Sequence, residues 1–352
     1  MKTRVLIVDD SVVIRKMVGD ILGAEPDMEL VGRAANGRLA LQMIPQVNPD
    51  VIVLDVEMPE LNGIETLKEL RKTYKQLPVI MFSTLTGAGA KETVEALFLG
   101  ASDYAQKPSN SSIEESSKAI RCILLEKIRT LSPVTRLAQQ SAAQASLQVK
   151  ATSPNKKIDL VVVGASTGGP NALSEFFSKI PTSFTTPILV TQHMPPVFTK
   201  LLAERLSSKS KYNITEGENK LTLLSDTAYI APGDFHMGLR KDGFQVSIEL
   251  NQNPPENSCR PAVDYMFRSA AEIFGGNILG IIFTGMGQDG LRGTEKILEN
   301  GGSVIVQDEA TSVVWGMPGV VAKAGLASAV LPLSEIVPEM VRRTQAVKMG
   351  KI

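Results

Sequence analysis

Val51-Ile52-Val53-Leu54-Asp55-Val56-Glu57-Met58-Pro59 is an apolar, β-branched run that ends on a carboxylate and is soon followed by a proline. It reads as a short strand with an acid at its carboxyl end. Working outward, similar runs lie at Val5–Val8, Glu29–Ala34, Val79–Phe82 and near Ser102–Tyr104. Amphipathic helical patterns separate or follow them, at about Val12–Leu22, Gly37–Ile44, Gly63–Lys72, Ala90–Leu99 and Ser112–Ile128. Strand and helix in alternation predict a parallel sheet covered by helices on both faces. Ligands of such sheets sit beyond the carboxyl ends of the strands.

The residues at those ends carry chemistry. Asp9 and Asp10 follow the first strand, Asp55 the third, Ser83 the fourth, and Lys107-Pro108 the fifth. A single Asp after a strand is usually a helix cap. A set of polar groups at one sheet edge is a site. Three carboxylates so placed repel each other unless a cation lies among them. A hard divalent ion such as Mg²⁺, with oxygen ligands and a phosphate, meets that need. Lys107 and Ser83 can each bind a phosphoryl oxygen, and Asp55 becomes a nucleophile toward an activated phosphoryl group.

Beyond about Thr130 the composition turns to Ser, Ala, Gln and Thr, which reads as a linker. The expected division is 1–125, a linker over 126–156, and a second domain over 157–348. The second domain opens on Ile158–Val163, an apolar run suited to a buried parallel strand. Further strands are expected at Ile188–Thr191, Ala228–Ile230, Ile278–Phe283 and Ser303–Val306, with helices between several of them and a hairpin around Lys241-Asp242-Gly243.

Gly164-Ala165-Ser166-Thr167-Gly168 follows the first of these strands and fits the Gly-x-Ser-x-Gly pattern that exposes a serine on a tight strand-to-helix turn. A phosphate-binding glycine turn is the competing reading, but the spacing around Ser166 is not Gly-x-Gly-x-x-Gly and no Gly-Lys-Ser/Thr follows it. A serine nucleophile needs a base. The chain holds two histidines. His193 follows a strand on the same edge as Ser166, whereas His236 enters the hairpin, so position favours His193. The carboxylate that orients the imidazole is sought next. Asp289 lies in Thr284-Gly285-Met286-Gly287-Gln288-Asp289-Gly290, whose glycines let backbone approach a ligand closely. Asp264 and Asp308 are weaker candidates.

The first set of motifs, Val8-Asp9-Asp10-Ser11, Asp55 to Pro59 with Gly63, Ser83 and Lys107-Pro108, resembles the receiver domains of bacterial response regulators. The resemblance implies a flavodoxin-like five-stranded parallel sheet. It also implies Asp55 as phosphoacceptor, and Mg²⁺ held by Asp10, Asp55 and the Glu57 carbonyl with help from Asp9. Ser83 and Lys107 would sense the phosphoryl group, and a chemotaxis histidine kinase would be the phosphodonor. The second set resembles the chemotaxis methylesterase family. Its members share Gly164 to Pro170, Thr191 to Pro195, Tyr229 to Asp234 with His236-Met237, and Thr284 to Gly290. The order Ser…His…Asp also differs from the α/β-hydrolase order. This resemblance implies a doubly wound, Rossmann-like α/β catalytic domain with a β-hairpin. The implied roles are Ser166, His193 and Asp289 as catalytic residues and the Met286 N–H as oxyanion donor. The implied reactions are methyl-ester hydrolysis and glutamine deamidation on methyl-accepting chemoreceptors, with the receiver covering the catalytic face until phosphorylated and no cofactor for the hydrolase.

Composition narrows the remaining options. Lys plus Arg equals Asp plus Glu at 37 each, which offers no basic footprint for nucleic acid. No apolar run reaches bilayer length, so no membrane insertion is expected. Two distant cysteines, Cys122 and Cys259, in no metal pattern suit a reducing compartment. A cytoplasmic monomer is expected. The chief alternative is a response regulator whose second domain acts by binding alone.

Overall fold

The computed structural model describes residues 2–84, 87–107, 113–133 and 157–345. The chain forms two compact units, divided between residues 145 and 146.

The first unit is built on β1 (Thr3–Val8), β2 (Met28–Ala34), β3 (Val51–Asp55), β4 (Val79–Ser83) and β5 (Asp103–Gln106). All neighbours are parallel, in the order β2-β1-β3-β4-β5. Every residue of β3 and β4 is buried, which is why neither run alternates. The chain leaves β1 toward β2 and then returns to the other side at β3. That reversal opens a crevice at the carboxyl ends of β1 and β3, where Asp9 and Asp55 stand. Helix Gly63–Thr73 begins tightly against this edge, with Asn62 and Glu65 forming a capping box. A Cβ at Gly63 would lie 2.1 Å from the Asp55 carbonyl oxygen, so only glycine admits the approach.

The last helix of this unit runs Ile113–Leu131, past the expected 125/126 division. Ile128 and Leu131 are buried, and the hydroxyls of Thr3 and Ser132 lie 2.8 Å apart, so these residues belong to the domain and not to a linker. The remainder of the expected linker, 134–156, lies outside the described residues, as does Pro108.

The second unit carries a seven-stranded parallel sheet. Its strands are β6 (Leu160–Ala165), β7 (Ile188–Gln192), β8 (Asn213–Glu216), β9 (Thr227–Ile230), β12 (Ile278–Ile282), β13 (Ser303–Gln307) and β14 (Ala329–Leu331). The order is β14-β13-β12-β6-β7-β9-β8. A separate antiparallel hairpin joins β10 (His236–Asp242) to β11 (Gln245–Asn251). Its turn sits one residue later than expected. Asp242 pairs with Gln245, leaving Gly243 and Phe244 as the central residues, and Gly243 takes the positive φ of 58°.

Central strand β6 is buried throughout. Leu160 and Val162 face a cluster with Met266, Phe267 and Ala270 of helix Val263–Phe274. Phe176, Phe177 and Phe283 meet edge to face elsewhere in the core. Each fully buried aliphatic or aromatic side chain here contributes roughly 1.5–3 kcal/mol. The winding reverses between β6 and β12, which places a second crevice beyond their carboxyl ends. No helix among the described residues is long and apolar enough to cross a membrane.

Candidate functional site

In the first unit, the crevice at β1 and β3 is a cleft of about 490 Å³ lined by Asp10, Asp55, Glu57, Ser83, Thr84 and Lys107 among others. Asp9 and Asp55 are buried and Asp10 is exposed. One carboxylate oxygen from each of the three acids falls within 4.8 Å of the others. Lys107 Nζ reaches between two of them, 2.8 Å from Asp9 Oδ2 and 2.7 Å from Asp55 Oδ2. It also lies 5.8 Å from the centre of the Phe82 ring.

These charges set the protonation of the pocket. Burial pushes the Asp55 carboxyl up to about 6, against the opposing pull of Lys107, and the Asp9 charge adds to the rise. Burial works to lower the Lys107 ammonium, but Asp55 and Asp9 outweigh it and hold the group above its ordinary value. One lysine against three acids leaves net negative charge and an all-oxygen donor set, which fits a hard divalent cation. Such a cation favours the ionised, nucleophilic form of Asp55. Glu57 is exposed, and its N–H approaches Asp55 Oδ1 at 3.4 Å. The Ser83 hydroxyl donates to the Thr84 carbonyl at 3.0 Å, at the wall of the cleft.

In the second unit the β6–β12 crevice gathers Ser166, His193 and Asp289. Ala165 pairs with Gln192 across β6 and β7, so Ser166 and His193 are the next residues on two adjacent parallel strands. The turn that presents Ser166 is braced from several sides. Its N–H donates to the Thr284 carbonyl at 3.1 Å, and Gln192 Nε2 donates to its carbonyl at 2.9 Å. Gly168 adopts φ 78° to start helix Gly169–Lys179, and a Cβ on Gly169 would fall 1.9 Å from Gln192 Oε1.

The loop after β12 is equally close. A Cβ on Gly285 would lie 2.9 Å from Ser166 Cβ, so this glycine lets the backbone pass directly beside the serine. The Gly285 carbonyl accepts from Gly316 and Met317, which fixes the peptide that leads to Met286.

His193 Nε2–H donates to Asp289 Oδ2 at 2.8 Å. Its other nitrogen, Nδ1, lies 3.6 Å from Cys259 Sγ. Among the described residues the imidazole bonds to these two side chains and not, in this arrangement, to Ser166. Serine–histidine bonds of this kind commonly tighten only when substrate binds. Because the carboxylate can only accept, Nε2 carries hydrogen and Nδ1 is the nitrogen able to act as base.

Asp289 is held from all sides. Oδ2 also accepts from the Val263 N–H at 2.7 Å, and Oδ1 accepts from the N–H groups of Asp264 and Gly290. It thus sits at the N-terminus of helix Val263–Phe274, where the helix dipole favours negative charge. Burial alone would raise this carboxyl, but His193 and the backbone donors hold it below its ordinary value. For His193, burial works downward, and Asp289 and Cys259 overcome it to hold the imidazole up to about 10.

The rival candidates fall elsewhere or play other parts. His236 is fully buried, stacked on Tyr265 at 4.8 Å, with Nε2 against the Pro254 carbonyl. Asp308 caps a turn through the Thr311 N–H. Asp264 is buried beside Asp289, although it does not touch His193, and Asn257 and Cys259 complete the surroundings of the pair. None of these three neighbours stands in a strand-end motif.

Cys259 is half-buried and free. Alkylation of its sulfur by iodoacetamide should set the added carbamidomethyl group against His193 Nδ1, 3.6 Å from Sγ before modification, and block any proton transfer there. Hydrolysis of a model ester should fall in proportion to modification at Cys259, while Cys259→Ala should resist the reagent. Full activity after complete modification of Cys259 would contradict the assignment of Nδ1 as base.

Both units match known families. Residues 5–118 match the response regulator receiver domain, and residues 161–340 match the CheB methylesterase family. A protein-glutamate methylesterase/protein-glutamine glutaminase of Trichodesmium erythraeum is 51% identical over 348 residues, covering 97% of this chain and 99% of that protein. One from Pyrococcus abyssi is 40% identical, covering 99% and 95%. The crystal structure of the Thermotoga maritima CheB methylesterase catalytic domain aligns with a TM-score of 0.52 at 43% identity. It covers 53% of this chain and 98% of that one.

Proposed function

Because the chain belongs to the CheB methylesterase family, with a response regulator receiver domain ahead of its catalytic domain, we propose that it hydrolyses glutamate γ-methyl esters on chemoreceptors and deamidates receptor glutamines. The observation that carries the reading is the pairing of half-buried His193 with buried Asp289 in the β6–β12 crevice, the histidine following the strand next to the turn that presents Ser166.

His193 Nδ1 takes the Ser166 proton as Oγ bonds to the ester carbonyl carbon. The carbonyl oxygen gains the electron pair, and the Met286 N–H is the donor assigned to stabilise it. Removing one such donor typically costs about 10²–10³ in rate. Collapse of the tetrahedral adduct breaks the bond to the methoxy oxygen. The proton on Nδ1 goes to that oxygen, and methanol leaves. Water repeats the sequence on the acyl-serine and returns glutamate and free Ser166. With glutamine the leaving group is ammonia. Asp289 stabilises the imidazolium in both halves and stays ionised throughout.

The receiver supplies the control. Receiver domains are phosphorylated in a Mg²⁺-dependent manner. In this chain Asp9, Asp10 and Asp55, with the Glu57 carbonyl, are the residues that would hold the ion. Bound there, the ion would supply charge neutralisation around the transferred phosphoryl group. An Asp55 oxygen attacks phosphorus as the bond to the donor histidine of a chemotaxis kinase breaks, and Lys107 and Ser83 bind phosphoryl oxygens. Phosphorylation then favours the arrangement in which receptor reaches Ser166. The protein works in the cytoplasm, on the cytoplasmic segments of its receptors. The domain limits we adopt are 1–131 for the receiver and 157–348 for the esterase.

The test is methanol release from membranes bearing methylated chemoreceptors, with and without a small-molecule phosphodonor. A shift of about 1.4 kcal/mol in the domain equilibrium corresponds to about a tenfold rise in rate. That rise should be lost in Asp55→Asn, which keeps the pocket's shape but has no nucleophilic carboxylate. An equal response of wild type and Asp55→Asn to phosphodonor would refute the switch. Absence of methanol release from the phosphorylated wild type would refute the esterase.

A further inference from the structure

Residues Glu256 to Cys259 form a tight turn. The Glu256 N–H donates to the Cys259 carbonyl at 3.1 Å and the Cys259 N–H returns to the Glu256 carbonyl at 2.8 Å. Both central residues are left-handed, Asn257 at φ 51° and Ser258 at φ 62°. Arg268 Nη2 anchors the turn through the Glu256 carboxylate at 2.6 and 2.9 Å. From this position the Asn257 side chain reaches inward to two acids. Its Nδ2 donates to Asp264 Oδ2 at 2.9 Å and to Asp289 Oδ1 at 2.9 Å.

An amide nitrogen has two hydrogens, and both are used here, one on each carboxylate. Asp264 and Asp289 are each about 2% exposed. Two buried like charges side by side disfavour each other's ionised form. Burial and the Asp289 charge push Asp264 up, while the Gly293 N–H and Asn257 oppose that rise. The Gly290 N–H is shared between Asp264 Oδ1 and Asp289 Oδ1 at 3.0 Å each, so the acid pair also pins the loop that carries Met286. Among the described residues, Asn257 is the one side chain that donates to both acids.

We propose that Asn257 is a positioning residue for hydrolysis: it bridges Asp264 and Asp289 so that both stay ionised and Asp289 Oδ2 stays aimed at His193 Nε2. The inference rests on the assignment of Ser166, His193 and Asp289 to the reaction. It assigns the task to a residue that touches neither the imidazole nor the serine.

The test uses the full chain, saturated with phosphodonor, and methanol release from methylated receptor membranes. Two variants tolerate the left-handed backbone, so neither strains the turn: Asn257→Gly removes the donor and Asn257→Asp replaces it with a carboxyl group. Asn257→Gly should lower kcat about tenfold with KM unchanged, the scale of one lost hydrogen bond to a charged group. Asn257→Asp can donate only while protonated, and its pKa is raised by the two acids it faces. Its rate relative to wild type at the same pH should therefore fall as pH rises, whereas the Asn257→Gly ratio should stay flat. For Asn257→Gly, which adds no charge beside the pair, the ratio cancels the titration of His193. An Asn257→Gly rate within about twofold of wild type would overturn the inference, as would equal losses in both variants at every pH. If Ser166→Ala abolishes the wild-type rate while Asn257→Gly leaves it intact, only this inference fails. If the wild-type rate does not need Ser166, the site assignment fails and takes this inference with it.

Discussion

Replacing Ser166 by alanine is expected to abolish methanol release, with a fall in kcat of about 10⁶-fold and little change in receptor binding. That factor corresponds to about 8 kcal/mol of lost transition-state stabilisation. It is large because the serine and the base act as one unit. Without the hydroxyl, Nδ1 has no proton to take and no covalent step occurs. The residual rate is expected to come from backbone stabilisation of the oxyanion and from substrate positioning. The substitution should be silent in stability. Ser166 is half-buried, its N–H and carbonyl make the contacts that hold the turn, and alanine keeps both. Thermal unfolding should therefore match wild type, and phosphorylation at Asp55 should proceed normally. A Ser166→Ala protein that still releases methanol at more than about a thousandth of the wild-type rate would exclude serine as nucleophile.

The readable parts of the sequence share one physical feature. Asp9, Asp55, Ser83 and Lys107 stand at the ends of apolar runs, and parallel topology brings such ends to one edge whatever the loops do. Ser166 and His193 are legible for the same reason, and their adjacency follows from the register of Ala165 with Gln192. Asp289 was marked by glycines whose purpose the structure explains: Gly285 must pass beside Ser166, and Gly290 takes φ 96° to start the next helix.

Other parts depend on tertiary contacts that leave no local mark. Strand β8 is only four residues with a single apolar side chain, buried Ile214, and β14 is three half-buried residues, so neither edge strand is long enough to show a strand period in sequence. Helix Phe198–Ser207 starts without a side-chain cap, after Val197 at φ 74°, and so lacks the usual start signal. Asn257, Cys259 and Asp264 approach the catalytic pair from a turn and a helix start that precede Asp289 in sequence by 25 residues or more. Nothing in their spacing announces the meeting. The turn geometry places the first two, and the helix N-terminus places the third.

The second large effect concerns Asp289. Asp289→Asn is expected to lower kcat about 10⁴-fold, the scale seen when an orienting carboxylate becomes an amide. The geometry here gives the reason. Oδ2 accepts the Nε2 hydrogen, and that leaves a lone pair on Nδ1 for the serine proton. An amide nitrogen at the Oδ2 position would donate to Nε2 instead, drive the hydrogen onto Nδ1, and remove the base. Turning the amide to avoid this would set its N–H₂ against the N–H groups of Asp264 and Gly290 and the Asn257 amide, which now converge on Oδ1. The pH profile should move as well. The base works only when neutral, so wild-type kcat/KM should rise with pH as His193 loses its proton, toward about 10. Loss of the Asp289 charge removes a cause of that high value. His193 then titrates nearer its ordinary 6.5, and the residual activity of Asp289→Asn should reach its plateau at lower pH than wild type. Steady-state rates of both proteins between neutral and alkaline pH measure the two effects together. A loss below about tenfold, or a plateau at the same pH in both, would mean that the carboxylate bonded to Nε2 neither selects the tautomer nor sustains the imidazolium.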